Sequence, residues 1–194
     1  MDVLELGLPG LLLIRPSKFA DERGFLSETY NAEVFRQFTG NAACVQDNHS
    51  FSHHAGTVRG IHFQKPPFAQ GKLVRVLRGR VYDVAVDLRH GSPGFGRYIG
   101  IEMCAADWTQ LWIPVGFAHG FCTMEPETEV LYKLTAHFSP EHEQGIVWND
   151  PGLNIEWPVD ARSAIVSAKD RGQPRFRDLP EYFSFGQGRQ EGLT

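Results

Sequence analysis

A chain of 194 residues is of single-domain size and long enough to bury a core, and a composition of 42% apolar and 22% charged residues excludes disorder over most of its length. Lysine and arginine number 19 against 23 aspartates and glutamates, a net charge of −4, so no broad positive field exists to attract DNA, RNA or anionic lipid. Three cysteines with no CxxC pair, and an acidic start whose apolar run Leu11–Ile14 is too short for a signal core or a membrane span, predict a cytoplasmic protein with neither a membrane nor a nucleic-acid partner.

Twenty glycines and twelve prolines divide the chain into short apolar runs, and long 3.6-residue periodicity is scarce. Together these predict an antiparallel all-β sandwich or barrel with a few short peripheral helices. In chain order, the first element is a helix over Ala32–Thr39, with Asn31 as N-cap, Glu33 in the first turn, Val34, Phe35 and Phe38 facing inward, and Gly40 as the stop. A hairpin follows: Leu73–Leu77, the turn Arg78-Gly79-Arg80, then Val81–Asp87, with β-branched residues on both sides of the glycine. Further strands are expected at Leu111–Pro114, Gly120–Met124, Glu129–Leu134 and Gly145–Trp148, each bounded by turn residues. Short helical pieces are expected at Ser163–Ala168 and, behind Asp178, at Pro180–Phe183. One domain spans residues 1–185, and the stretch 186–194, without apolar periodicity, reads as a flexible tail. Strand spacing of this kind suits a jelly roll.

Side-chain alternation places His62 and Gln64 on one face of their strand, and Lys72 with Val74 and Val76 on one face of theirs. Polar groups on an inward face are costly unless paired or solvated, so a pocket is the economical reading. His119, after the turn-rich Pro114–Ala118, and Tyr132, in register with Val130 and Leu134, are placed to reach the same cavity. His53 and His54 are adjacent and would point oppositely in a strand, so together with His49 they are assigned to a solvated loop and given no role.

The run Gly60-Ile61-His62-Phe63-Gln64, Lys72, Gly79 and Pro114-x-Gly116-x-x-His119 resembles the two motifs of the cupin superfamily, which implies a small double-sheet jelly roll. Metal-binding cupins carry His, His, Glu and a second-motif His, whereas these positions read His62, Gln64, Lys72 and His119. An ammonium has no lone pair to give a cation, so no metal is expected. Within the superfamily the chain resembles the dTDP-4-dehydrorhamnose 3,5-epimerase family from about Asp21 to Pro174. The matching phrases are Asp21-Glu22-Arg23-Gly24-Phe25, Gln46-Asp47-Asn48-His49-Ser50, Arg59 through Gln64, Gln70 through Val76, Leu111-Trp112-Ile113-Pro114, Gly116 through Phe121, Tyr132-Lys133 and Trp148-Asn149-Asp150-Pro151.

That resemblance implies a dTDP-4-keto-6-deoxy sugar substrate and an epimerisation without cofactor, because the C-4 ketone already acidifies C-3 and C-5. It assigns His62 as the base, Asp170 as the carboxylate orienting it, Lys72 as the cation at the developing O-4 oxyanion and Tyr132 as the acid on the far face. It assigns Arg23, Glu28, Gln46, Asn48 and Arg59 to the nucleotide diphosphate, and His119, Glu143 and Lys169 to other substrate contacts. Family members are homodimers that share strands, which implies a homodimer here. Arg59 and His62 have opposite parity, so Arg59 either shares the cavity through a bulge at Gly60 or meets a neighbouring subunit's ligand. A relative inverting only C-3 or only C-5, a non-catalytic sugar-nucleotide-binding cupin and a metal-dependent cupin are the competing readings.

Overall fold

The computed structural model describes residues 1–186. Its strands are, in order, β1 (Asp2–Glu5), β2 (Leu12–Arg15), β3 (Phe19–Asp21), β4 (Gly24–Leu26), β5 (Gln46–Ser52), β6 (Thr57–Gln64), β7 (Lys72–Arg78) and β8 (Arg80–Asp87). There follow β9 (Arg89–His90), β10 (Tyr98–Cys104), β11 (Gln110–Ile113), β12 (Phe117–Thr123), β13 (Thr128–Leu134), β14 (Glu143–Gly145), β15 (Ile165–Val166) and β16 (Phe183–Ser184). One sheet runs β1-β2-β11-β7-β13-β5, and the other runs β10-β8-β12-β6-β14 with β15 parallel beside β6. The two form the expected jelly roll.

Between them lies a core of Val74, Val76 and Val130 from the first sheet and Val81, Ala85, Phe117 and Phe121 from the second. The second sheet is also covered on its outer face, where Ile61, Val84, Val86 and Ala118 pack against Ile146, Leu153 and Phe183. Burial on both faces explains why β8 reads as a nearly unbroken apolar run rather than an alternating one. The helix α1 (Ala32–Thr39) forms as expected: the Asn31 side chain accepts hydrogen bonds from the Glu33 and Val34 amides, and Gly40 closes it at φ 65°. Phe35 is its buried anchor, edge-on to Trp112 at 4.9 Å between ring centres, whereas Phe38, expected to face inward, is exposed.

The expected hairpin is corrected. Both strands exist, but β7 pairs with β11 and β13 while β8 pairs with β10 and β12, so Gly79 carries the chain from one sheet to the other. Gly79 has φ 78°, and a Cβ there would stand 2.4 Å from Thr128 Oγ1. A one-residue corner and a hairpin share the same local signature of β-branched residues around glycine, and only the partners differ.

Three shorter expectations also change. The strand assigned to Gly145–Trp148 is Glu143–Gly145; beyond Ile146 the chain turns at Asp150, whose side chain accepts from the Gly152 and Leu153 amides, and Trp148 is buried without a ladder. Ser163–Ala168 is not helical: Ile165–Val166 joins β6, and the helix α2 spans Ala168–Arg171 with the Ser167 hydroxyl accepting from the Asp170 amide. Pro180–Phe183 is not helical either, because Leu179 before the proline is extended at ψ 138° and Phe183 pairs with β9, while a 3₁₀ turn occupies Phe176–Asp178. His49 lies in β5 beside Glu129, at 2.9 Å, rather than in a loop; His53 and His54 follow the strand. The stretch 186–194 falls outside the described residues apart from Gly186.

Candidate active site

The site is built around an irregularity in β6. His62 lies opposite His119 of β12, but Arg59 lies opposite Phe121, so three steps along β6 match two along β12. The extra residue falls at Gly60, at φ 117°, where a Cβ would meet Gly120 Cα at 2.5 Å and the His119 carbonyl oxygen at 2.7 Å. Only glycine fits, and the bulge turns Arg59 and His62 into one cavity despite their opposite parity.

Asp170, 108 residues further along the chain, reaches the His62 ring. Its Oδ1 lies 2.7 Å from His62 Nε2, and its Oδ2 accepts the Gly60 amide at 3.3 Å. An ionised carboxylate only accepts, so Nε2 carries the ring proton and Nδ1 is left with the lone pair. Burial pushes the Asp170 carboxyl up, but the His62 hydrogen bond and charge, the Gly60 amide and the Ser167 hydroxyl together hold it below the usual carboxylate range. It therefore stays anionic and braces the imidazole.

Lys72, the first residue of β7, crosses from the first sheet to the second, where its Nζ donates to the His62 carbonyl oxygen at 3.1 Å. Desolvation lowers its pKa from the ordinary lysine value to about 8, against the opposing pull of Asp83 and Glu143. Tyr132 stands on β13 of the first sheet, and so faces the cavity from the wall opposite His62.

The cavity has a volume of about 720 Å³, within the range of small-molecule sites, and its lining includes Gln46, Asn48, Arg59, His62, Tyr132, Phe138, Glu143, Lys169 and Asp170. A recess of about 90 Å³ shares Asn48, His62, Tyr132, Phe138 and Glu143 with it and reaches Lys72. The rim is braced: Gln46 donates to Asn48 Oδ1 at 2.9 Å and accepts the Phe138 amide at 2.9 Å, Lys169 pairs with Glu143, and Arg59 donates to Ser52 Oγ and the Phe51 carbonyl. Gln64 spends its amide on the Phe68 and His137 carbonyls and the Ser139 amide, which makes it a clasp for the neighbouring loops.

Three sequence-assigned residues stand elsewhere. His119 is buried against Asp83 and does not line the cavity. Arg23 sits exposed in the β3–β4 turn, paired with Asp21, and Glu28 accepts from Asn31. Phe138 and Ser167 were not assigned from the sequence. Phe138 carries no periodic signal beside Ser139-Pro140, whereas Ser167-x-x-Asp170 has the spacing of an N-terminal helix cap. Among the described residues no group of three or more His, Cys, Asp or Glu side chains is placed to hold a metal ion.

Such a site sets a base and a phenol on facing walls with an ammonium at the floor, an arrangement able to remove a proton from one face of a carbon acid, hold the resulting oxyanion and return a proton to the other face. Residues 5–178 match the family model described as dTDP-4-dehydrorhamnose 3,5-epimerase. A dTDP-4-dehydrorhamnose 3,5-epimerase of Sinorhizobium fredii is 47% identical over 180 residues, covering 93% of this chain and 92% of its own. The crystal structure of a dTDP-6-deoxy-D-glucose-3,5-epimerase from Legionella pneumophila in complex with dTDP-4-keto-L-rhamnose is similar with a TM-score of 0.88 at 38% identity, covering 94% of this chain and 97% of that one. A 3'-monoepimerase from Streptomyces bikiniensis in complex with dTDP-quinovose is similar with a TM-score of 0.85 at 31% identity, covering 96% of this chain and 94% of that one.

Proposed function

This chain belongs to the dTDP-4-dehydrorhamnose 3,5-epimerase family, and from that premise we propose which residues carry the reaction. The enzyme is an isomerase that converts dTDP-4-dehydro-6-deoxy-D-glucose to dTDP-4-dehydro-L-rhamnose by inverting C-3 and C-5. His62 Nδ1 takes the proton from the carbon beside the ketone, and the electron pair of the C–H bond moves through the new enolate onto O-4. Lys72 holds that oxyanion. Tyr132 then protonates the carbon from the other side, and solvent removes the proton from the imidazolium and restores it to the phenol. Neither carbon changes oxidation state overall, so the chemistry calls for no redox partner. The reading is carried by one observation: the His62–Asp170 pair and Tyr132 face one cavity from opposite sheets.

Tyr132→Phe tests it. The variant keeps the base and the ammonium, so it is expected to take up deuterium from heavy water beside the ketone while forming little inverted sugar. Proton NMR reads both at once, and wild-type protein is expected to gain deuterium at C-3 and C-5. Inversion by Tyr132→Phe at the parent rate would remove the phenol from the mechanism.

Activity is also expected to fall on the alkaline side. Lys72 is charged below its pKa of about 8 and neutral above it, so kcat/KM is expected to decline as pH rises through that value. A rate that stays flat through that value would show that the ammonium is not required.

The proposed assembly is a homodimer. The β3–β4 hairpin exposes Phe19, Phe25 and Leu26, an apolar surface that calls for a covering partner, and it carries Arg23 away from its own cavity. Two copies exchanging this hairpin bring Arg23 and Glu28 to the nucleotide end of each other's site, while the bulge keeps Arg59 in its own. A nucleotide-linked substrate and three free cysteines fit a cytoplasmic location, and among the described residues no helix is long and apolar enough to cross a membrane.

A further inference from the structure

Two ions in the interior between the sheets are poorly served by their own hydrogen bonds. Lys72 is 8% exposed, and its ammonium, with three protons to give, makes one hydrogen bond, to the His62 carbonyl. Asp83 has no solvent exposure, and both its oxygens meet a single atom, His119 Nε2, at 2.9 and 3.1 Å. The other buried carboxylates are provided for. Asp87 has Arg89 and Ser92, Asp150 has the Gly152, Leu153 and Phe176 amides, and Asp170 has His62 and the Gly60 amide.

The topology sets these two on one surface, with His119 between them. Lys72 leaves the first sheet and ends against β6; His119 lies on β12 directly opposite His62; Asp83 lies on β8, the next strand, opposite Phe121. Ammonium, imidazole and carboxylate thus occupy three successive strands on the inner face of the second sheet. An isolated charge in such a place is strongly disfavoured, and two opposite ones relieve each other.

We propose that Asp83 is a positioning residue for the epimerisation: it is the resident counter-charge of Lys72, steadied by His119, and keeps the ammonium charged and aimed at the substrate's O-4. The titratable and charged groups around Lys72 are His62 on β6, His119 on β12, Asp83 on β8, Tyr132 on β13, Glu143 on β14 and Asp170 on α2. Asp170 is committed to His62 and Glu143 to the ammonium of Lys169, whereas Asp83 meets only the His119 imidazole, so its charge remains to balance the ammonium of Lys72. Asp83 is also the largest influence holding the lysine's pKa up against burial.

The proposal rests on the assignment of Lys72 to the enolate oxygen, and the two fail differently. Asp83→Asn keeps the shape and leaves an amide oxygen to accept from His119, while deleting the charge. Its kcat/KM is to be measured across pH alongside wild type, with circular dichroism and dTDP affinity as checks on folding. The alkaline limb, near pH 8 in wild type, is expected to move down by about one pH unit or more, so that the loss is about tenfold greater on the alkaline side than at the optimum. An unmoved limb, or a loss equal at every pH, overturns the proposal while leaving Lys72 in its role. An active Lys72→Met enzyme overturns the underlying assignment instead. Should Asp83→Asn not fold, Asp83→Ser, with room for a water, takes its place. If neither folds, ¹⁵N NMR of the lysine side chains in wild type decides. A Lys72 ammonium persisting above about pH 7 supports a resident counter-charge, whereas loss of its proton near pH 5–6, as for an uncompensated buried lysine, overturns it.

Discussion

Replacing His62 by Asn is expected to lower turnover by about 10²–10⁴-fold and to stop exchange of the substrate's C-3 and C-5 hydrogens with solvent. Asparagine is smaller and its amide stops short of the Nε2 position that meets Asp170, but the bulge is set by the backbone at Gly60, so the bulge, the position of Arg59 and the dTDP affinity are expected to survive. The neutral amide cannot accept the proton. Exchange is the more telling readout because it requires only proton removal and return, whichever face the proton returns to. A purified variant that binds dTDP and still exchanges at the parent rate would take the base away from His62. Loss of dTDP binding together with exchange would point instead to a collapse of the β6 bulge, against which the 3.3 Å bond from the Gly60 amide to Asp170 is the safeguard.

Lys72→Met is expected to cost about 2.7–4 kcal/mol of transition-state stabilisation, roughly a 10²–10³-fold loss in kcat, from removing one charge-stabilising donor at an oxyanion. Methionine keeps much of the stem that fills the space between the sheets and removes the ammonium, so the deficit belongs to the charge. Exchange and inversion should fall together, because both pass through the enolate. This pattern separates Lys72 from Tyr132, whose loss spares exchange. A near-normal rate would show that Lys72 serves only to tie β7 to the His62 carbonyl at 3.1 Å.

Much of this site was legible from strand parity. Alternation alone places His62 and Lys72 on inward faces, and once the resemblance gives Arg59 to the site its parity conflict with His62 leaves two solutions, a bulge at Gly60 or a neighbouring subunit's ligand, between which parity does not choose. Long-range partners were not legible in that way. Asp170 reaches His62 across 108 residues, and neither spacing nor propensity encodes such a contact; the resemblance alone supplied it. The β7–β8 connection shows the same limit from the other side. Two β-branched runs around Gly79 predict two strands, but whether they pair is decided by β11 and β13 on one side and β10 and β12 on the other. Locally, the stretch from Ser163 to Ala168 was misjudged because Ser167 caps the helix that follows it and does not belong to one that ends there. Arg23 and Glu28 were given to the cavity by resemblance alone, and their own chain does not bring them to it.

The crossing at Gly79 has a further consequence. Like the other connections that send consecutive strands to different sheets, it leaves the proposed base on β6 and the proposed acid on β13 on separate walls, and the gap between them is the thickness of the apolar filling, about 10 Å for packed sheets. Val74, Val76 and Val130 on one side, and Val81, Ala85 and Phe121 on the other, therefore act as a gauge block. A close-packed interior resists both compression and swelling. The stroke of the proposed proton relay, from one face of a sugar ring to the other, is machined by side chains that do not line the cavity.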